Sequence, residues 1–402
     1  MIPLMILTGA STQKNGDLNM RSASHKLASL AFGVLLGAAA CGSAFAQSGT
    51  PQSGTLLIGQ SAPLSGSNRE LGEEIRDGAL AYFKKVNDAG GVNGKKIELI
   101  SLDDGNDTAR AGENGRKLIE ERGVIALFGY ASATLSRPAL PHVEKSKTPF
   151  VAPFTGADPM RVFNRYVYNH RASYADELEK IIDFYANVGV KSFGVLYHDD
   201  AVGRENLTAV ERALNKRSFK SATAVGIPRV NPDIRKAVDK VTQAKPDVMI
   251  ATTLFKPSAD FIKAARTANP GMQFVSTSFA GPNVLMRALG EAGAGVAISQ
   301  VVPPVTNRAI PVVAEYMTAF EKFTGKQSYG ATSLESYIAA KVLVEGLRRA
   351  GHEPTRESLA GALDGLSGFD TGGYVVSFTP GNHNGSSFAE MTVIDKSGRF
   401  KY

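Results

Sequence analysis

The sequence predicts an α/β protein of two doubly wound lobes, each with a parallel central sheet, and a ligand cleft between them. Three observations predict it. Short β-rich runs alternate with helical patterns along most of the chain, as expected when parallel strands are joined by helices on both faces. The runs form two sets of four or five βα units, too many for one small sheet. The 402 residues also leave room for more than one core, at roughly 150 residues per domain.

Thr55 to Pro63 reads as a buried strand, and Glu70 to Asp88 as a helix with Ile75, Ala79, Phe83 and Val86 at three- and four-residue spacing. Gly90-Gly91 stops that helix. Lys96 to Leu102 is the next strand and Thr108 to Glu121 the next helix. Val124 to Phe128 is continuously apolar, like a strand covered on both faces. Ser132 to Lys145 follows as a helix and Phe150 to Pro153 as a strand.

The alternation resumes with helix Tyr174 to Val188, strand Ser192 to Tyr197, helix Gly203 to Lys216 and strand Ser221 to Ile227. Asn231-Pro232 reads as an N-cap with proline at the first helical position, opening a helix to Ala244. Strand Val248 to Leu254, helix Ser258 to Thr267, and strands Phe274 to Thr277 and Val296 to Val302 come next, ended by Pro303-Pro304. Helices Val312 to Thr324, Leu334 to Ala350 and Glu357 to Leu366 precede two strands, Tyr374 to Phe378 and Ala389 to Ile394.

Positive charge from Arg21 to Lys26, an uncharged apolar run from Leu27 to Ala40, and Ala44-Phe45-Ala46 before Gln47 make the three parts of a secretory leader. The apolar run is short of the ~20 residues a permanent membrane helix needs. Residues 1–46 are therefore expected to be a signal peptide, with Met20 a more natural start than Met1, and 47–54 a polar linker. Cys41 follows Ala38-Ala39-Ala40 as in a lipoprotein processing site, but Ala38 stands where leucine is usual, so cleavage after Ala46 is favoured. That cleavage removes the single cysteine, and with it any disulfide or thiolate chemistry.

The net charge of +7 falls to +5 once residues 1–46 are gone. Basic residues interleave with acidic ones, as in Lys84-Lys85 near Asp88, and no basic block carries interleaved aromatics. Nucleic acid is not an expected partner. No phosphate loop, dinucleotide glycine fingerprint or nucleophile elbow occurs, and the histidines lack metal-ligand spacing. His198-Asp199-Asp200 and Asp103-Asp104 follow strands and read as loop solvation and helix capping. Neither catalysis, a metal nor a cofactor is expected.

Several stretches carry a resemblance: Ile58 to Gly66 (IGQSAPLSG), Gly78 to Phe83 (GALAYF), Val86 to Gly94 (VNDAGGVNG), Asp103-Asp104, Phe128-Gly129, Pro149 to Pro153 (PFVAP) and Asn169 to Ser173 (NHRAS). Their order and spacing over residues 55–400 resemble the type I periplasmic binding proteins of ABC importers, of the leucine and branched-chain amino acid-binding kind. The resemblance implies an N-terminal lobe of 55–172 plus 303–384, a C-terminal lobe of 173–302 plus 385–402, and crossings near 172, 302 and 385. It implies a monomer that closes on a small molecule and serves an ABC permease in the inner membrane, from the periplasm. A ligand sensor acting with a receptor or regulator is the alternative.

The resemblance also implies a site. Ala131, Ser132, Phe154, Thr155 and Gly156 match positions that hold a ligand carboxylate, and backbone N–H groups at a helix start suit an anion. Leu71 falls where an aromatic often covers the ligand, and Asp176 matches one of two acids that hold an ammonium. The second acid is replaced by Phe279, with Ser278 beside it. Tyr174 joins the set, Val202 stands in for a wall tyrosine, and Leu254 and Phe255 cover another. Losing one carboxylate weakens the case for an α-amino acid and keeps an aromatic or aliphatic acid, a keto acid or an amide in play. Arg69 and Arg161 near the cleft loops read as surface charge or as partners of an acidic ligand.

Overall fold

The computed structural model describes residues 54–229 and 231–402. The expected signal peptide, with Cys41, and linker residues 47–53 lie outside the described residues. Strand β1 (Thr55–Ala62) leads to helix α1 (Arg69–Asp88), β2 (Lys96–Asp103), α2 (Thr108–Arg116), β3 (Ala126–Phe128), α3 (Ala133–Ser136), α4 (Leu140–Ser146), β4 (Phe150–Val151) and β5 (Val167–Tyr168). The five strands make one parallel sheet in the order β2-β1-β3-β4-β5.

The second set runs α5 (Tyr174–Asn187), β6 (Phe193–His198), α6 (Ala201–Lys216), β7 (Ser221–Ile227), α7 (Ile234–Ala244), β8 (Val248–Ala251), α8 (Phe255–Ala268), β9 (Gln273–Ser276), α9 (Pro282–Leu289) and β10 (Ala297–Gln300). Helices α10 (Pro311–Thr324), α11 (Ala331–Arg349) and α12 (Arg356–Asp364) then pack back on the first sheet. A small ribbon of β11 (Phe369–Asp370) and β12 (Val375–Val376) follows, and the chain ends in β13 (Glu390–Ile394) and β14 (Phe400–Lys401). The second sheet has the order β14-β13-β10-β9-β8-β6-β7.

Strand alternation decides which helices cover which face. In the first lobe, Leu56, Ile58, Ala126 and Phe128 point into a core with Phe83 of α1 and Leu334 and Tyr337 of α11. Their neighbours Leu57 and Leu127 point the other way, towards Ala111 of α2 and Val143 of α4. The second lobe repeats the scheme. Val195, Val248 and Ile250 face Ile181 of α5 and Val210 of α6, while Leu196, Met249 and Phe274 face Val241 of α7 and Phe261 of α8. Both sheets are thus covered on both sides, which is why their strands read as apolar runs. Each sheet also reverses strand order at one place, between β1 and β3 and between β6 and β8. Ligand crevices open beyond the carboxyl ends of strands at such points.

Glycine permits a close helix–helix contact in the first lobe. A Cβ on Gly78 would lie 2.2 Å from the Ser333 carbonyl oxygen, so α1 and α11 approach backbone to backbone there.

Several expected elements differ. The helix expected over 132–145 is broken into α3, a 3-10 turn Arg137–Ala139 and α4, because Pro138 and Pro141 lie in the run. Helix α7 starts at Ile234 with Asp233 as cap, because Asn231 has φ 48°, outside N-cap geometry. The second sheet is not wholly parallel, since β13 and β14 add to it antiparallel. The strand expected over 374–378 is confined to β12 in a hairpin turned at Gly372 and Gly373, both at positive φ. Helix α9 was hidden behind Gly281-Pro282, which reads as a loop but here places proline at the first helical position. Among the described residues no helix is long and apolar enough to cross a membrane.

Candidate functional site

The carboxyl ends of the strands from both lobes meet in one buried apolar cluster. After β3, Ala131 bridges Phe154, which follows β4. Ser132 N–H donates to the Phe154 carbonyl at 3.2 Å, and Phe154 N–H donates to the Tyr130 carbonyl at 2.8 Å. Two non-glycine residues in this region sit at positive φ, Ser132 at 100° and Ala152 at 54°. Such backbone costs of order 1–3 kcal/mol and persists where the surroundings over-determine it, commonly at functional sites. Ser132 also caps α3, its hydroxyl accepting from Leu135 N–H at 3.4 Å.

The Thr155-Gly156 turn docks on the start of α5. Tyr174 N–H donates to the Gly156 carbonyl at 2.8 Å. A Cβ at residue 156 would lie 2.7 Å from the Tyr174 nitrogen, so this approach needs glycine. Thr155 Oγ1 donates to the Tyr174 hydroxyl at 3.3 Å and accepts from Ala157 N–H at 3.2 Å. Burial pushes the Tyr174 hydroxyl up to about 12, so it stays a neutral donor.

From the second lobe, the Phe279 ring meets the Tyr174 ring edge-on, 5.7 Å between centroids. Leu254 is held by its N–H donating to His198 Nε2 at 3.2 Å. Burial, with Arg229 nearby, lowers His198 to about 3, so this imidazole remains a neutral acceptor. Val202 lies in the first turn of α6, whose cap Asp200 accepts from Gly203 N–H at 2.8 Å. Leu71 of α1 reaches across towards the loop after β9, where its Cδ1 would lie 3.1 Å from a Cβ on Gly281. Leu71, Ala131, Phe154, Tyr174, Val202, Leu254 and Phe279 all belong to one cluster. Ser132, Thr155 and Gly156 join them through the contacts above.

Two residues of the expected set are not brought in. Phe255 packs in the interior of the second lobe with Phe261 and Phe274. Asp176 is the far half of a capping box, its Oδ2 accepting from Ser173 N–H at 2.9 Å and Ser173 Oγ at 2.7 Å. Arg69 pairs with Glu73 on the surface, and Arg161 donates to the Arg171 carbonyl at 3.1 Å.

A buried ionic cluster behind this wall was not read from the sequence. Arg171, fully buried, stacks over the rings of Phe154 and Tyr174, at 5.7 and 5.6 Å. It donates to Glu177 Oε1 at 2.6 Å, to Glu335 Oε1 of α11 at 3.1 Å and to Ser278 Oγ. Glu177 further accepts from Ser278 N–H at 2.8 Å, Ser278 Oγ at 2.9 Å and Ser299 Oγ. Burial works against the Arg171 charge, but Glu335 and Glu177 hold its pKa above the ordinary arginine value. Burial pushes Glu335 up to about 7, against the pull of Arg171. His170 next door is kept neutral, burial lowering it to about 3. One signal was available: Tyr174, Glu177, Leu178 and Ile181 share the buried face of α5, and an acid on an apolar face needs a partner.

The chain matches the family model described as periplasmic binding protein over residues 55–399. A curated relative, the Leu/Ile/Val-binding protein homolog 8 of Brucella suis biovar 1 (strain 1330), is 26% identical over 377 residues, covering 89% of this chain and 92% of the relative. A crystal structure of a possible leucine/isoleucine/valine-binding protein from Rhodopirellula baltica SH 1 superposes with a TM-score of 0.81 at 29% identity, covering 87% of this chain and 96% of that one. A substrate-binding periplasmic protein from Ralstonia solanacearum gives 0.80 at 30% identity, over 86% and 99% of the two chains.

Proposed function

This chain belongs to the periplasmic binding protein family, and we propose that it captures a small organic solute between its lobes outside the cytoplasmic membrane and delivers it to the permease of an ABC importer. The family is one of solute binders. The solute is a branched-chain amino acid-like molecule, an aromatic or aliphatic acid, or an amide. One observation carries the reading: strand ends of both lobes converge on a single buried apolar cluster with hydroxyl groups at its edge. Closure of two lobes around a hinge buries a ligand in that way. The crossings lie near 172, 302 and 385. The first and third are tied together, with Asn169 N–H donating to the His383 carbonyl and Gly385 N–H to the Asn169 carbonyl.

The wall is built by Ala131, Phe154, Tyr174, Leu254 and Phe279, with Thr155 and Ser132 supplying hydroxyls. No step of chemistry is assigned to them; binding free energy shifts an open–closed equilibrium. A thermal-shift screen of the chain from Gln47 against amino acids, aromatic acids, dicarboxylates and amides tests this. A ligand at 100 times its Kd adds about 2.7 kcal/mol, which is a rise of several degrees at roughly 2–4 °C per kcal/mol. Thr155→Ala is expected to abolish the rise. Asp176→Ala, which removes a cap, is expected to lower the melting point through about 1 kcal/mol and keep the rise. A folded chain that no compound stabilises contradicts the reading.

A further inference from the structure

Helix α9 is anchored in the second lobe and meets the first at three places. Its apolar face lies in the second-lobe core, where Val284, Leu285 and Leu289 share a cluster with Phe261 and Phe274. Helices α1 and α11 belong to the first-lobe core through Phe83, Leu334 and Tyr337. None of the three crossings runs through α9, so a rotation of the lobes about them carries α9 away from α1 and α11.

The first contact is a helix cap supplied from the other lobe. Helix α11 starts at Ala331 behind Gly330, which has no side chain to cap it. Asn283 of α9 takes that place. Its Oδ1 accepts from Ala331 N–H at 3.0 Å, and its Nδ2 donates to the Tyr329 carbonyl at 3.1 Å. Asparagine suits this role, because its oxygen satisfies an N–H that the helix itself cannot. The second contact is ionic. Arg287, one turn further along α9, donates to Glu70 Oε2 and Glu74 Oε1 of α1, both at 3.1 Å. Those two glutamates are one turn apart on α1 and repel each other without it. The third contact is at Gly281, just before α9. A Cβ there would lie 3.1 Å from Leu71 Cδ1 of α1 and 3.8 Å from Thr332 Oγ1 of α11. Phe279 of the proposed wall stands in the same short connection between β9 and α9, so a movement of the wall is a movement of α9.

Resting on the lobe closure of the reading above, we infer that Asn283 and Arg287 form an interlobe clasp, complete only when the lobes are shut, that sets the open–closed ratio of the chain without touching the solute. They are positioning residues. They set how firmly the lobes hold and not what they hold.

A distance measurement between two spin labels in the free chain tests this. The chain from Gln47 has no cysteine. Lys145→Cys on α4 and Lys240→Cys on α7, both at exposed positions, therefore take one label in each lobe. The labelled wild-type chain is expected to show a shut population. Asn283→Ala is expected to lower the ratio of shut to open by about fivefold, the scale of a lost cap. Arg287→Glu, which sets like charges against Glu70 and Glu74, is expected to lower it by about 10-fold. Adding Glu70→Lys and Glu74→Lys to Arg287→Glu reverses both signs and is expected to restore the ratio, which a merely unfolded variant would not do. The same distances in the wild-type chain and both variants overturn the inference. So does a loss in Arg287→Glu that the reversed pairs do not restore. Either result leaves solute capture standing if a compound of the screen raises the melting point. A blank screen beside distances that shift as expected removes solute capture and leaves the clasp.

Discussion

Replacing Arg171 by methionine is expected to cost the folded chain about 3–5 kcal/mol, because it leaves Glu177 and Glu335 buried without their shared counter-charge. The partners come from different parts of the chain: Glu177 from α5 and Glu335 from α11. Their loss should therefore loosen the junction between the lobes as well as lower the melting point. Urea unfolding at pH 7.5 measures the cost. At pH 5 the deficit should shrink, since Glu335 then takes up a proton that its raised pKa already favours. A change within about 0.5 kcal/mol at pH 7.5, the scale of an ordinary surface substitution, would show that the cluster contributes little.

Between pH 6.5 and 4.5, Glu335→Gln is expected to lose stability more steeply than the wild-type chain, by about 1 kcal/mol per pH unit. His170 and His198 are buried and neutral, lowered to about 3 chiefly by burial. Below about 6.5 the unfolded chain protonates them and the folded chain does not. Each therefore contributes stability that is present above pH 6.5 and lost as the pH falls, at about 1.4 kcal/mol per pH unit. Glu335 has the opposite sign. Its folded pKa is raised from 4.5 to about 7, so its contribution is present at low pH and lost as the pH rises through 7. Burial lowers His383 as well, so in this window the unfolded chain binds more protons than the folded chain at the three histidines and about one fewer at Glu335, which flattens the wild-type slope. Without Glu335 the slope steepens by about 1 kcal/mol per unit. Urea unfolding at pH 6.5, 5.5 and 4.5 gives both slopes. Equal slopes would show that Glu335 is ionised throughout the window.

The lobes were legible because each strand is covered on both faces, so β1, β3, β6 and β8 appear as apolar runs whatever their register. Short elements were not. β5 and β14 have two residues each and take their place from neighbouring strands, β4 and β13, rather than from any local pattern. The apolar half of the candidate site was legible for a similar reason: Ala131, Phe154, Leu254 and Phe279 follow strands, and loops after strands converge in this topology. The ionic cluster was not, because Arg171, Glu177, Ser278, Ser299 and Glu335 are separated by up to 164 positions and only the fold brings them together. Counting along the chain pointed to Asp176 as the acid of interest. Helix geometry turns Asp176 back to its own cap and sends the next residue, Glu177, inward.

On the proposed reading, this chain holds a small solute between its lobes and releases it unchanged. Equilibrium dialysis of the chain from Gln47 against the most stabilising compound of the screen, followed by mass spectrometry of what is released on denaturation, tests both halves of that statement. One saturable site per chain and recovery of the compound unchanged are expected. Recovery of a converted product, or no saturable binding by a folded chain, would contradict it.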